Sequence, residues 1–116
     1  MKIFDKDSKY NFVDQNNVLV GFDSYTSCCE RFGYFFSTEI PQHIPQYTND
    51  GDGQPANLDS FNFDPTFIEN GNEMETFKLV NGDEVIYLTI FNSHNGYYSH
   101  GFKMLVDGQV TFHGNI

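Results

Sequence analysis

Apolar positions in this chain recur with the two-residue period of strands. The run YNFVD, then QNN, then VLVGFD (residues 10–23) reads as a hairpin, with Asn16 and Asn17 suited to left-handed turn positions. Met1 to Phe4 reads as a short edge strand or a frayed end. Further on, TFKLV and EVIYLTIF flank a tight turn at Asn81-Gly82. EVIYLTIF is apolar on both faces, which predicts a central strand. SHNG turns into YYSHGFKMLV, and Asp107-Gly108 turns again into QVTFHG. Four strands in succession joined by tight turns predict an antiparallel meander over the last forty residues.

The remaining stretches are less regular. Ser27 with Glu30 three residues later matches a capping box, and Gly33 stands where a short helix would end. The pattern predicts a helical turn over 27–32, after which YFFS leaves as a strand; a continuous strand through this stretch is the competing reading. Residues 38–75 hold Pro41, Pro45, Pro55 and Pro65 with Gly51, Gly53 and Gly71, and read as irregular apart from a short strand at FNFD. A loop region this long in a compact domain is usually functional or mobile.

Length and composition narrow the fold. At 116 residues the chain fits one domain, residues 1–116, with room for one core. Aromatic residues make up 17% of it, and Ala56 is its one alanine. Aromatic side chains pack well on pleated surfaces, while alanine favours helices. The expected fold is mainly β: an antiparallel β-sandwich or half-open barrel with one short helix.

Charge adds a direction. Sixteen acids against six bases give a net charge of −10. Between Phe32 and Phe77 there is no Lys or Arg, while Glu39, Asp50, Asp52, Asp59, Asp64, Glu69, Glu73 and Glu75 fall in that span. Such a field repels nucleic acid and anionic membranes and attracts basic partners. Solubility alone would also account for it. No apolar run approaches a membrane span, and MKIFDKD lacks an apolar signal core. Together with two cysteines, this predicts a cytoplasmic protein with reduced thiols.

Candidate chemistry is sparse. Cys28 and Cys29 are adjacent, so they point apart on a strand and lie about 100° apart on a helix. Neither arrangement suits one metal, and a zinc site would need two more soft ligands. His43, His94, His100 and His113 show no ligand-pair spacing. The thiols could be acidified at a helix N-terminus, but packing as small hydrophobes beside Phe32 explains them more simply. The stretch TNDGDGQPANLD offers a partial calcium-loop pattern. Asp50, Asp52 and Asp59 fall at ligand positions, but Thr48 stands first and Asp rather than Glu stands twelfth. A solvated loop is the simpler reading. His94, His100 and His113 could converge with Glu30 or an Asp into an acid–base site if the last strands pair. No phosphate-cradling glycine loop, GxSxG or HExxH motif is present. In NGYYSHGF, Tyr97 and Tyr98 would point to opposite faces, leaving one ring as an anchor for a partner.

CCE after the first hairpin and NGYYS in a late one resemble a set of small uncharacterised bacterial and phage proteins carrying those signatures. There acidic or amide residues precede CCE, whereas here Thr26 and Ser27 do. That resemblance implies no enzyme activity, cofactor or known ligand. Size, acidity and β-rich build also resemble bacterial immunity proteins, which protect cells from contact-delivered or secreted toxins. This second resemblance implies a non-enzymatic inhibitor of a basic toxin, such as a nuclease whose phosphate-binding surface an acidic plug could fill. The expected contact residues are Asp50, Asp52, Asp59, Asp64, Glu69, Glu73 and Glu75, with Tyr47, Phe67, Tyr97 and Tyr98 as apolar anchors. A small-molecule or metal-binding domain using Cys28, Cys29, Glu30 and the histidines is the alternative from another class. A phage DNA mimic that inhibits a host nuclease shares the electrostatics of the first.

Overall fold

A computed structural model of the protein describes residues 1–25, 31–93 and 99–116. Among these residues the fold is mainly β, in two antiparallel sheets packed face to face as a sandwich. The first sheet comprises β1 (Lys2–Lys6), β2 (Lys9–Val13), β3 (Val18–Asp23), β8 (Gly101–Val106) and β9 (Gln109–Asn115), in the order β1-β2-β3-β8-β9. The second comprises β4 (Phe32–Ser37), β5 (Asn62–Gly71), β6 (Met74–Asn81) and β7 (Glu84–Asn92), in the order β4-β7-β6-β5.

Period-two alternation supplies the core. Phe12, Val20, Phe22, Phe102 and Met104 of the first sheet face Phe36, Phe77, Leu79, Leu88 and Ile90 of the second, all buried. Aromatic edges meet aromatic faces between the layers: Phe77 lies 6.1 Å from Phe102 at 80°, and Phe22 lies 6.3 Å from Phe32 at 76°. Such pairs add to the burial of the rings themselves. Asp14 ties the layers at one end. Its Oδ1 accepts the amides of Asn16 and Val18, closing the β2–β3 turn, and its Oδ2 accepts the amide of Phe63 in the other sheet at 2.9 Å.

Several sequence expectations hold. The β2–β3 hairpin forms with Asn17 at φ 61°, and the β8–β9 hairpin turns at Asp107-Gly108. The β6–β7 hairpin also forms, one residue on from the expected turn: Asn81 pairs with Glu84, and Gly82-Asp83 make the turn. The N-terminal edge strand is β1, which pairs with β2 alone. β7 is central, between β4 and β6.

Three expectations change. The four-strand meander does not form, because β7 and β8 lie in different sheets. Both are apolar enough to be central, and each pairs with an earlier strand, β4 or β3, in place of the other. The strand expected at FNFD extends to Asn62–Gly71 despite Pro65. β5 is an edge strand whose register shifts between Phe63 and Ile68, so the amide missing at Pro65 breaks no ladder. Most of the helix expected over 27–32 lies outside the described residues, but Phe32 and Gly33 belong to β4. The glycine ends no helix there. A Cβ at Gly33 would come within 2.0 Å of Asp50 Oδ1, so its missing side chain is what admits Asp50. Among the described residues the helical geometry is one 3-10 turn, Leu58–Ser60.

Candidate functional site

Residues 38–61, read as an open loop, are bound into the fold. The segment crosses the outer face of the second sheet, where Phe35, Met74 and Phe91 form a small buried cluster beneath Ile44. Arg31 pins it. The guanidinium donates to the carbonyls of Pro45 and Gln46 and lies 5.5 Å above the Phe91 ring. Further along, the loop closes the open side of the sandwich beside β4. Asp50 accepts the Tyr10 hydroxyl of the first sheet at 2.6 Å and the Tyr34 amide of the second at 3.2 Å. The Asp52 carbonyl accepts the Phe36 amide at 2.7 Å, and its carboxylate caps the Asn49 amide at 2.9 Å. Partial burial and the Asp50 hydrogen bond raise the pKa of Tyr10, which keeps its hydroxyl a donor.

This arrangement redistributes the expected contact residues. Asp50 and Asp52 are exposed, yet both carboxylates accept hydrogen bonds that shape the loop. Asp64 accepts the Thr66 hydroxyl and amide, which hold its pKa below the usual carboxylate range. Asp59, Glu69 and Glu73 are exposed, and their carboxylates carry no hydrogen bond among the described residues. Glu75 belongs inside. It is 3% exposed, faces the sandwich interior next to Ile90, and accepts Asn70 Nδ2 on one oxygen. Its Oε2 has no partner among the described residues. Burial raises its pKa, partly offset by the Asn70 hydrogen bond.

Of the aromatic anchors, Tyr47 is 87% exposed on the loop. Phe67 is half-buried, 5.8 Å from the Tyr87 ring with Lys78 Nζ 6.0 Å from its face. Tyr97 and Tyr98 lie outside the described residues, as do Cys28, Cys29, Glu30 and His94. Asp83 in the β6–β7 turn and Glu84 at the start of β7 are exposed acids that fall beyond the base-free stretch because they follow Lys78.

Charge divides between the layers. Residues 31–93, which form the second sheet and its loop, carry ten acids against Arg31 and Lys78. The strands and turns of the first sheet carry Asp5, Asp7, Asp14, Asp23 and Asp107 against Lys2, Lys6, Lys9 and Lys103. The first layer is close to neutral, and the second holds most of the excess charge. Among the described residues no three His, Cys, Asp or Glu side chains are grouped to hold a metal ion.

Polar groups gather at one end of the sandwich. His100 is fully buried; its Nδ1 donates to the Asp23 carbonyl at 2.6 Å, and its ring stacks 5.3 Å from Tyr25 and lies 4.3 Å from Phe32. Asn92 donates to the Ile116 carbonyl at 2.9 Å, and Ile116 pairs with the His100 backbone. At this same end the Ser93 amide donates to the Arg31 carbonyl at 2.8 Å. The described residues on either side of 26–30 and 94–98 therefore meet here. His113 is exposed on β9, on the opposite face of its sheet from buried His100, so these two histidines do not converge.

Comparisons with family models, curated proteins and solved structures gave no match for this chain. No helix among the described residues is long and apolar enough to cross a membrane.

Proposed function

We propose that this protein acts by binding, as an immunity or inhibitor protein whose acidic layer covers the cationic surface of a toxin, a nuclease. One observation carries the reading. Ten acids and two bases occupy the second sheet and its loop, and Glu39, Asp59, Glu69, Glu73 and Asp83 there are exposed with unengaged carboxylates. A carboxylate that caps no backbone group is free to meet an arginine or lysine on a partner. Exposed Tyr47 adds an aromatic contact on the same layer. Asp50, Asp52 and Asp64 shape that surface, and Glu75 lies beneath it. The phage DNA-mimic reading uses the same surface and differs in the nuclease it would meet.

The test is genetic and direct. The product of the gene immediately upstream is expressed with and without this protein. The reading expects a toxic basic domain whose toxicity this protein suppresses. It also expects Asp59→Asn, Glu69→Gln, Glu73→Gln and Asp83→Asn together to remove protection while the protein stays folded. An upstream product that is harmless, or protection untouched by the four substitutions, contradicts it.

A second reading rests on the buried polar end. Of the residues flanking the two motif-bearing stretches, Tyr25 stacks on His100 and Ser93 bonds to Arg31, and Phe32, next to Arg31, packs on His100. That adjacency supports a metal or small-molecule site recruiting Cys28, Cys29, Glu30 and His94. Metal analysis of the purified protein and the pH profile of thiol alkylation test it. A stoichiometric transition metal, or a thiolate reactive well below pH 8, would favour it over the inhibitor reading.

A further inference from the structure

The outer face of the first sheet is unlike the rest of this acidic molecule. Strand register places its side chains in rows. One row runs Phe4, Asn11, Gly21, Lys103, His113, and the next runs Lys6, Lys9, Asp23, Gly101, Asn115. Four of the chain's six basic residues, Lys2, Lys6, Lys9 and Lys103, project from this one face. Lys9 pairs with Asp23 in the one ion pair among the described residues. Asp23 is thereby neutralised locally, and its other oxygen accepts the Gly101 amide at 3.1 Å. Lys103 is exposed and has no partner among the described residues, and beside it lies His113.

Between these cations the sheet is bare at Gly21, while Asp23 and Asn115 reach over Gly101, 3.0 and 3.4 Å from where its Cβ would stand. Gly21 floors a groove of about 380 Å³ bordered by Lys9, Asp23, Lys103, Val110, His113 and Asn115. That is within the size range of small-molecule sites. A Cβ at Gly21 would meet only ordinary contacts, 3.8 Å from Asn11 Oδ1 and Leu19 Cδ2. Packing therefore does not demand glycine at this point in a central strand, where glycine weakens a sheet. Close approach by a ligand is one purpose a bare strand serves there.

We propose that this groove binds a small organic anion: a flat or apolar body over Gly21 and Val110, with one phosphate or carboxylate group held by Lys103 and His113. The occupant is chosen by charge complementarity. A free lysine and a histidine stand together on a face whose nearest carboxylate is already paired. The acids of the other layer lie across the sandwich, beyond the Debye length of about 8 Å at physiological salt, where screening weakens their repulsion. The proposal is independent of the toxin-binding reading, because it uses the opposite face and none of its carboxylates.

Amide chemical-shift titration of the whole protein tests it, with adenosine monophosphate and benzoate as the phosphate and carboxylate probes and adenosine as the uncharged control. The expected result is a saturable shift confined to Gly21, Gly101, Lys103, His113 and Asn115 with at least one anionic probe. Adenosine should bind at least tenfold more weakly than its monophosphate if phosphate is the preferred group. Lys103→Gln and, separately, Gly21→Val, which fills the floor, should each weaken binding at least tenfold with the fold retained by circular dichroism. Shifts spread over Lys2 and Lys6 without saturation, no shift with either probe, or unchanged affinity in both variants would overturn the proposal.

Discussion

The two sheets share one core and differ in what covers them. The first sheet is nearly bare outside: its outer face carries lysines, glycines and apolar side chains, of which Phe4 and Val110 are exposed. The second is overlaid by residues 38–57, which bury Phe35, Met74 and Phe91 and close the side of the sandwich through Asp50 and Asp52. The covered layer also carries the acids. The contrast teaches that a base-free stretch of sequence can serve two ends. Some of its carboxylates organise backbone, and others are exposed and carry no hydrogen bond among the described residues.

The comparison breaks first if the sheets are separate units. Phe77→Ala empties the shared interior opposite Phe102 and should cost about 3–5 kcal/mol. Denaturant unfolding followed by near- and far-ultraviolet circular dichroism should still show one transition; two would mean that each layer folds alone. The covering loop comes next. Gly53 has φ 77°, and a Cβ there would lie 2.1 Å from the Phe36 carbonyl oxygen. Gly53→Ala should cost about 3 kcal/mol and weaken the near-ultraviolet circular dichroism of Tyr10 and Tyr34, whose contacts with Asp50 depend on that segment. Removing the tie between layers should do less. Asp14→Ala leaves the amides of Asn16, Val18 and Phe63 without their carboxylate, a loss of about 2 kcal/mol, read as a lower denaturant midpoint.

The smallest effect should come from Glu75, the acid that left the acidic surface. Its folded pKa is raised above the ordinary value of 4.5. The native state therefore holds its proton more tightly than the unfolded chain. Its contribution to stability is full below about pH 4.5 and falls as pH rises through the higher folded value. Glu75→Gln should thus raise the melting temperature modestly at pH 7, and the gain should vanish at pH 4. A gain that persists at pH 4 would place the effect in packing and not in charge.

Much of the fold was legible because strand period and turn chemistry are local. Asn16-Asn17, Asn81-Gly82 and Asp107-Gly108 each mark a hairpin that forms. Partner choice between strands is not local. Nothing within YYSHGFKMLV says that its strand pairs with β3 and leaves β7 to β4, since either neighbour would bury the same apolar residues. Gly33 illustrates the same limit: helix termination and close approach by Asp50 both require glycine, and only the approach of a residue seventeen positions away decides between them. The acidic surface was legible as a count but not as a geometry. Glu75 follows Glu73 by two positions, and only pairing with Ile90 shows that it faces inward. Asp83 and Glu84 fall beyond the base-free stretch because one lysine, Lys78, closes it before them.

The central claim is that the covered, acidic layer is the working surface. Its most direct measurement is the association rate with the basic domain that the proposal expects the upstream gene to encode, followed by stopped-flow fluorescence from low to high salt. The account predicts a rate that falls steeply with salt. Replacing Asp59, Glu69, Glu73 and Asp83 by their amides should lower the low-salt rate about 10- to 100-fold, while Lys2→Gln with Lys6→Gln should not lower it. A rate that ignores salt, or one that depends on the lysine face and not on the acids, would contradict it.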